Sequence, residues 1–128
     1  MNPFFAEFFG TAIILVFGGG VVANVVLNKT KGNNSGWIVI TFGWAVGVFT
    51  GVLISAPVSG AHLNPAVTLA LAIAHKFSWS SVPVYILAQV LGAMFGAGLV
   101  WLAYKKHFDA TDDGDSKLSV FSTIPNIR

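Results

Sequence analysis

An asparagine–proline pair interrupts one of the most apolar stretches of the chain, in Val58-Ser59-Gly60-Ala61-His62-Leu63-Asn64-Pro65-Ala66-Val67-Thr68. Asparagine is a strong helix N-cap and proline fits best at the first helical position, so a helix is predicted to begin at Asn64-Pro65. In a soluble protein this would be an ordinary capped short helix. Composition removes that reading: the chain is 55% hydrophobic and 9% charged, against about 25% charged in a typical soluble domain. The apolar run that follows, residues 65–75, rises about 15 Å at 1.5 Å per residue, half of a ~30 Å hydrocarbon core. Such a helix enters a membrane without crossing it.

A re-entrant half-helix starts near the bilayer midplane. The non-helical backbone before it, Ser59 to Leu63, must then be buried in protein or line a wet cavity. At the helix start the macrodipole supplies roughly half a positive charge. The Asn64 side-chain oxygen serves as the cap, and its NH2 is left free to donate outward. Carbonyls of Gly60, Ala61 and His62 add acceptors along the same wall. These parts form a track for water or a neutral hydroxyl, with an electrostatic barrier to cations at its centre.

The rest of the chain reads as an all-α membrane protein. Residues 4–27, 37–56 and 82–104 are long and apolar enough to span, with Pro57 predicted to end the second span and Tyr104, Lys105 and Lys106 anchoring the third. Residues 107–128 carry the aspartates and are predicted to be a polar surface tail. The first apolar segment outruns a signal-peptide core and reads as a retained span. Cysteine is absent and the net charge is +2. Those values exclude thiolate metal sites and give no basis for a nucleic-acid partner. No histidine–carboxylate spacing suggests a metal, and no nucleophile–base pair or phosphate loop suggests an enzyme or a cofactor. Gly10, Gly18, Gly43, Gly47, Gly51, Gly92 and Gly96 recur at helix-packing intervals within the spans.

Glu7 and Gln89 need partners inside spans, since a charge at that depth costs at least about 2.5–3.5 kcal/mol unless compensated. The re-entrant backbone offers unsatisfied groups, so both side chains are expected to brace the Ser59–Leu63 loop. A proton-coupling role for Glu7 is the alternative. His62, beside the half-helix start, is placed to line the path.

Ser59-Gly60-Ala61-His62-Leu63-Asn64-Pro65-Ala66-Val67-Thr68 resembles the first signature loop of the aquaporin and glycerol-facilitator family. Ala6-Glu7-Phe8-Phe9-Gly10-Thr11 resembles its first-helix motif, and Ala88-Gln89-Val90-Leu91-Gly92-Ala93 its third-helix motif. The resemblance implies an aquaporin-like single repeat over residues 1–128: three transmembrane helices plus one re-entrant half-helix. It implies passive conduction of glycerol, other small neutral polyols and water in a multi-pass protein of the plasma (inner) membrane, assembled as a homotetramer. Trp44, Gly60, Ala61, His62, Leu63, Asn64 and Ala66 would line the pore, and Glu7, Gln89 and Pro65 would support its loop. Tryptophan at Trp44 is similar to the filter aromatic of glycerol facilitators, and Phe121-Ser122-Thr123-Ile124-Pro125 resembles the extracellular loop after their third helix.

The family channel has two inverted repeats whose half-helices meet end to end, and this chain contains one. The second Asn-Pro-Ala and the filter arginine are missing. The abrupt stop at Asn126-Ile127-Arg128 suggests the N-terminal portion of a longer facilitator, the alternative being pairing of two short chains. Orientation is in conflict, because Lys29, Lys31, Lys105 and Lys106 fall on the side that the family places outside, and Lys76 alone on the other. A small proton-coupled transporter using Glu7, and a nonconducting fragment that binds a partner membrane protein, are the competing functions.

Overall fold

The computed structural model describes residues 2–123, Pro125 and Ile127. Helix α1, Pro3–Val26, starts where Asn2 Oδ1 accepts from Phe5 N at 3.1 Å with Pro3 in the first turn. Its carbonyl end is capped by the following loop rather than by water. Asn34 N donates to Val25 O at 2.9 Å, Asn33 Nδ2 to Leu27 O at 3.0 Å, and Thr30 Oγ1 to Asn24 O at 2.5 Å. A loop rich in asparagine thus satisfies carbonyls that a helix end leaves open.

Helix α2, Trp37–Ser59, continues past Pro57, where the sequence pattern predicted an end near residue 56. A proline costs a helix one N–H and crowds one carbonyl a turn earlier. Pro57 therefore leaves Leu53 O without its helical partner, and the helix ends three residues later, where Gly60 closes it in the left-handed conformation at φ 83, its N–H on Ala56 O at 3.1 Å. The half-helix α3, Pro65–Ile73, is slightly shorter than the expected 65–75, and a single 3₁₀ turn, Trp79–Ser81, leads into α4, Val82–Asp109. Three helical segments, Pro3–Val26, Trp37–Ser59 and Trp79–Asp109, are long and apolar enough to cross a membrane.

Helix α1 lies between α2 and α4. Glycines face it from both sides: a Cβ on Gly51 would stand 2.9 Å from Gly10 O, and Cβ atoms on Gly92 and Gly96 would overlap Phe8 O and Ala12 O. These contacts let the helix backbones touch, which in lipid replaces the missing hydrophobic drive for association. The outer faces of α2 and α4 expose Ile38, Phe42, Phe49, Leu53, Leu87, Met94 and Leu102. A bilayer accommodates such surface where water would not.

The segment after residue 104 departs from the expected surface tail. Helix α4 runs on to Asp109, and the chain folds back through a short helix α5, Gly114–Ser119, that packs on α1. Buried Thr111 accepts from Asn28 N at 2.9 Å and donates to His107 O at 2.7 Å, tying the ends of α1 and α4. Phe108 and Val120 are buried in the adjoining core, and Phe121 stacks on Phe108 at 5.6 Å. Asp113 caps α5, accepting from Ser116 Oγ at 2.6 Å and Ser116 N at 3.0 Å. Those bonds hold its carboxyl below the usual carboxylate range, so the cap persists at neutral pH and is lost only as pH falls through that lowered value. The parts of the tail expected at Ile124, Asn126 and Arg128 lie outside the described residues.

Lys31 and Lys117 sit at one end of the bundle and Lys76, beyond the half-helix, at the other. The chain has no cysteine, so single replacements report topology directly. Cysteines at Lys31 and Lys117 are expected to react with an impermeant thiol reagent from the same side of a sealed membrane, and a cysteine at Lys76 from the opposite side. Labelling of all three from one side would contradict a half-helix that enters and returns.

Candidate functional site

Glu7 is completely buried and, among the described residues, is the only buried carboxylate. Its Oε1 accepts from Ser59 Oγ at 2.6 Å and His62 N at 3.0 Å; its Oε2 accepts from Leu63 N at 2.7 Å and Gln89 Nε2 at 2.8 Å. A carboxylate has about four lone-pair sites. Each is met by a donor, from α2, the loop, the loop again and α4. The charge needed in the apolar interior and the backbone donors that a non-helical loop leaves orphaned satisfy each other.

Gly60 N donates to Ala56 O, Ala61 N to Ser59 Oγ at 3.1 Å, and His62 N and Leu63 N to Glu7. Every N–H from Gly60 to Leu63 is therefore taken by the scaffold. Among the described residues no donor reaches the carbonyls of Gly60, Ala61, His62 or Leu63. This one-sided arrangement requires unusual backbone, with φ 83 at Gly60, 51 at Ala61 and 51 at Leu63. A left-handed non-glycine residue costs about 1–2 kcal/mol, which the bonds to Glu7 offset. At the end of the loop Asn64 Oδ1 accepts from Ala66 N at 2.8 Å, capping α3. Asn64 is exposed, and its Nδ2 has no acceptor among the described residues. Pro65 follows in the first turn of α3, and Ala66 is exposed beside Asn64.

The side chains of His62 and Leu63 are turned inward, so at His62 the expected lining group that remains outward is the carbonyl rather than the ring. The His62 ring is buried at 9% exposure, with Nδ1 3.1 Å from Thr68 Oγ1, and packs against Phe77 at 4.5 Å and Tyr85 at 4.9 Å. Thr68 Oγ1 donates its single hydrogen to Asn64 O at 3.2 Å and accepts from Gln89 Nε2 at 2.9 Å. Assigned from this network, His62 carries hydrogen on Nδ1 and donates to Thr68. Leu63 packs over Gly10. What these two residues leave facing outward is backbone.

Thr68 and Tyr85 are site residues that sequence reasoning missed. Tyr85 donates from its hydroxyl to Ser59 O at 2.9 Å, holding the end of α2 against α4. A signal was present: Tyr85 and Gln89 are one helical turn apart, as are Asn64 and Thr68, so each pair shares a face.

Trp44 stands apart from the loop, towards the other end of α2. It is half-buried, packs on the core formed by Val22, Val25 and Ile40, and borders an open cavity of about 980 Å³. Trp37 and Thr41 line the same cavity from α2, and Asp113, Ser116 and Ser119 from the α5 side. The α5 side brings hydroxyls and carboxylates together with Val120 and Phe121 to face the indoles and Thr41.

The four bonds to Glu7 set up a graded test. Glu7→Gln retains one acceptor oxygen and turns an NH2 towards two donors, at about 1–3 kcal/mol for each buried donor left unsatisfied. Glu7→Ala removes all four acceptor positions. Thermal denaturation in detergent is expected to rank wild type above Glu7→Gln above Glu7→Ala. A Glu7→Ala protein melting with the wild type would show that the loop does not depend on the carboxylate.

The family described as major intrinsic protein matches residues 1–126. The probable glycerol uptake facilitator protein of Thermotoga maritima is 55% identical over 128 residues, covering 100% of this chain and 55% of that protein. The glycerol uptake facilitator protein of Bacillus subtilis is 49% identical over 127 residues, covering 99% of this chain and 46% of that protein. The X-ray structure of the aquaglyceroporin from Plasmodium falciparum aligns with a TM-score of 0.75 at 38% identity, covering 84% of this chain and 43% of that one. The chain spans about half the length of the curated relatives it matches. With three apolar helices and a short half-helix packed on the third of them, and with the family match running along nearly all of it, the chain belongs to the major intrinsic protein family of membrane proteins.

Proposed function

We propose that this chain forms the first half of a two-repeat channel through which glycerol, other small neutral polyols and water diffuse passively. The observation that carries the reading is the loop at residues 60–63, whose N–H groups are all held by the scaffold and whose carbonyls meet no donor among the described residues. A solute hydroxyl donates to such carbonyls in sequence and accepts from Asn64 Nδ2 at their end. The partial positive charge at the start of α3 opposes a cation there. The names of the relatives, glycerol uptake facilitators, support polyols as the solute class.

In this reading Gly60, Ala61, His62 and Leu63 contribute backbone, Asn64 and Ala66 face the path, and Trp44 forms the apolar wall of a filter whose other wall belongs to the second repeat. Glycerol has a hydroxylated edge and a CH-bearing edge, and an indole offers surface to the second. Glu7, Gln89 and Pro65 hold the loop. The assembly is a homotetramer in the plasma membrane, with the Lys76 end inside. A proton-coupled carrier would have to add a proton to Glu7, and each lone-pair site there already holds a donor.

Stopped-flow light scattering on vesicles holding the full-length channel tests this. Trp44→His makes the apolar wall polar, so glycerol permeability is expected to fall while water permeability persists or rises. An unchanged glycerol-to-water ratio would remove Trp44 from the filter. Glycerol flux in the unmutated channel is expected to ignore an imposed proton gradient, and gradient-driven accumulation would replace the channel by a carrier.

A further inference from the structure

The glycines of this bundle differ in what a Cβ would meet: backbone for some, side chains for others and open space for the rest. Gly51, Gly92 and Gly96 lie against the backbone of α1, where their bareness allows helices to approach. Gly18 differs. The three atoms nearest to a Cβ at Gly18 are all in the Trp44 ring, Cε3, Cζ3 and Cδ2, the last at 2.5 Å. The indole therefore lies directly on the bare backbone of α1, and the same residue borders the 980 Å³ cavity.

The helices are packed closely at this level. On one side of the contact a Cβ on Gly43 would stand 2.6 Å from Val21 Cβ, and on the other a Cβ on Gly47 would stand 2.8 Å from Phe17 Cβ. Both are close α1–α2 contacts, and they bracket Gly18 and Trp44. Carbon atoms in ordinary contact are about 3.5–4.0 Å apart, so a methyl at Gly18 requires the ring to recede by about 1 Å or more. With the α1–α2 spacing kept, room for the ring to recede lies in the cavity that it borders.

We propose that Gly18 is a positioning residue for solute selectivity: its lack of a side chain sets how deep the Trp44 indole sits, and hence the clearance left for a polyol. The proposal rests on the reading of Trp44 as a filter wall. Water, being smaller than glycerol, is less affected by the lost clearance. Gly18 makes no contact with solute and acts through the indole alone.

The test is a double-mutant cycle on the full-length channel, read as the ratio of glycerol to water permeability in vesicles. Gly18→Ala is expected to lower the ratio by about tenfold, the low end of the discrimination that one methylene supports in a tight apolar site. Gly20→Ala, in the same glycine run, adds a methyl that meets nothing within 4 Å, and is expected to leave the ratio unchanged. Trp44→Ala is expected to change the ratio by itself, and Gly18→Ala added to it to change nothing further.

If Trp44→Ala leaves the ratio unchanged, the filter reading falls and the proposal falls with it. If Trp44→Ala changes the ratio and Gly18→Ala does not, the filter reading stands and the proposal alone is overturned. An equal effect of Gly20→Ala, or a Gly18→Ala effect that survives in the Trp44→Ala background, also overturns it. Should Gly18→Ala fail to fold, the Trp44→Ala background, which has room for the methyl, is expected to restore folding. Failure to do so would locate the clash elsewhere and refute the proposal.

Discussion

A carboxylate inside an apolar bundle and a stretch of backbone that is neither helix nor strand are each untenable alone at the centre of a membrane. An uncompensated charge there costs at least about 2.5–3.5 kcal/mol, and each buried donor left unpaired about 1–3 kcal/mol. Glu7 and the Ser59–Leu63 loop remove each other's penalty through two backbone N–H groups and one hydroxyl, and Gln89 takes the remaining lone pair. The geometry of the bundle follows from keeping that set together. Glu7 is on α1, the loop hangs from α2, and Gln89 is on α4, so both neighbours must pack closely on α1. Glycine at Gly51, Gly92 and Gly96 makes that approach possible.

The outward row of carbonyls in the loop is a by-product of how its donors are used. Once all N–H groups of residues 60–63 point into the scaffold, the carbonyls are turned the other way, which left-handed conformations at Gly60, Ala61 and Leu63 make possible. Local strain is thereby converted into an ordered row of acceptors. Thr68, His62 and Tyr85 make the arrangement rigid from behind: Thr68 links Asn64 O to Gln89, and Tyr85 holds Ser59 O. A loop free to rotate its peptide planes would offer solute no fixed acceptors, and preorganisation matters more here than the number of hydrogen bonds.

At the other end of α2, packing rather than hydrogen bonding sets the surface. Trp44 is backed by Gly18 and by the core around Val22, while the chain after α4 folds back to place α5 across the cavity. The link between Asn28 and Thr111 is what brings that segment over α1. An apolar ring thus comes to face a mixed wall of hydroxyls, carboxylates and apolar side chains drawn from a region far away in the chain.

The half-helix and the three spans were legible in the sequence, as were the need of Glu7 and Gln89 for partners and the use of glycine in packing. Each depends on short-range chemistry: an N-cap and a proline start a helix wherever they occur, and an apolar run of sufficient length partitions into a bilayer whatever it later packs against. Other features were decided only by tertiary structure. The His62 ring turns inward because Thr68, Phe77 and Tyr85 converge on it from later segments. Helix α2 passes Pro57 because Glu7, Tyr85 and Gly60 stabilise its last turn. The tail is drawn into the core because Asn28 and Thr111 meet. These outcomes depend on which groups reach one another across the bundle. Residue type determines what a side chain requires, but only the packed chain determines which partner lies within about 3 Å to supply it.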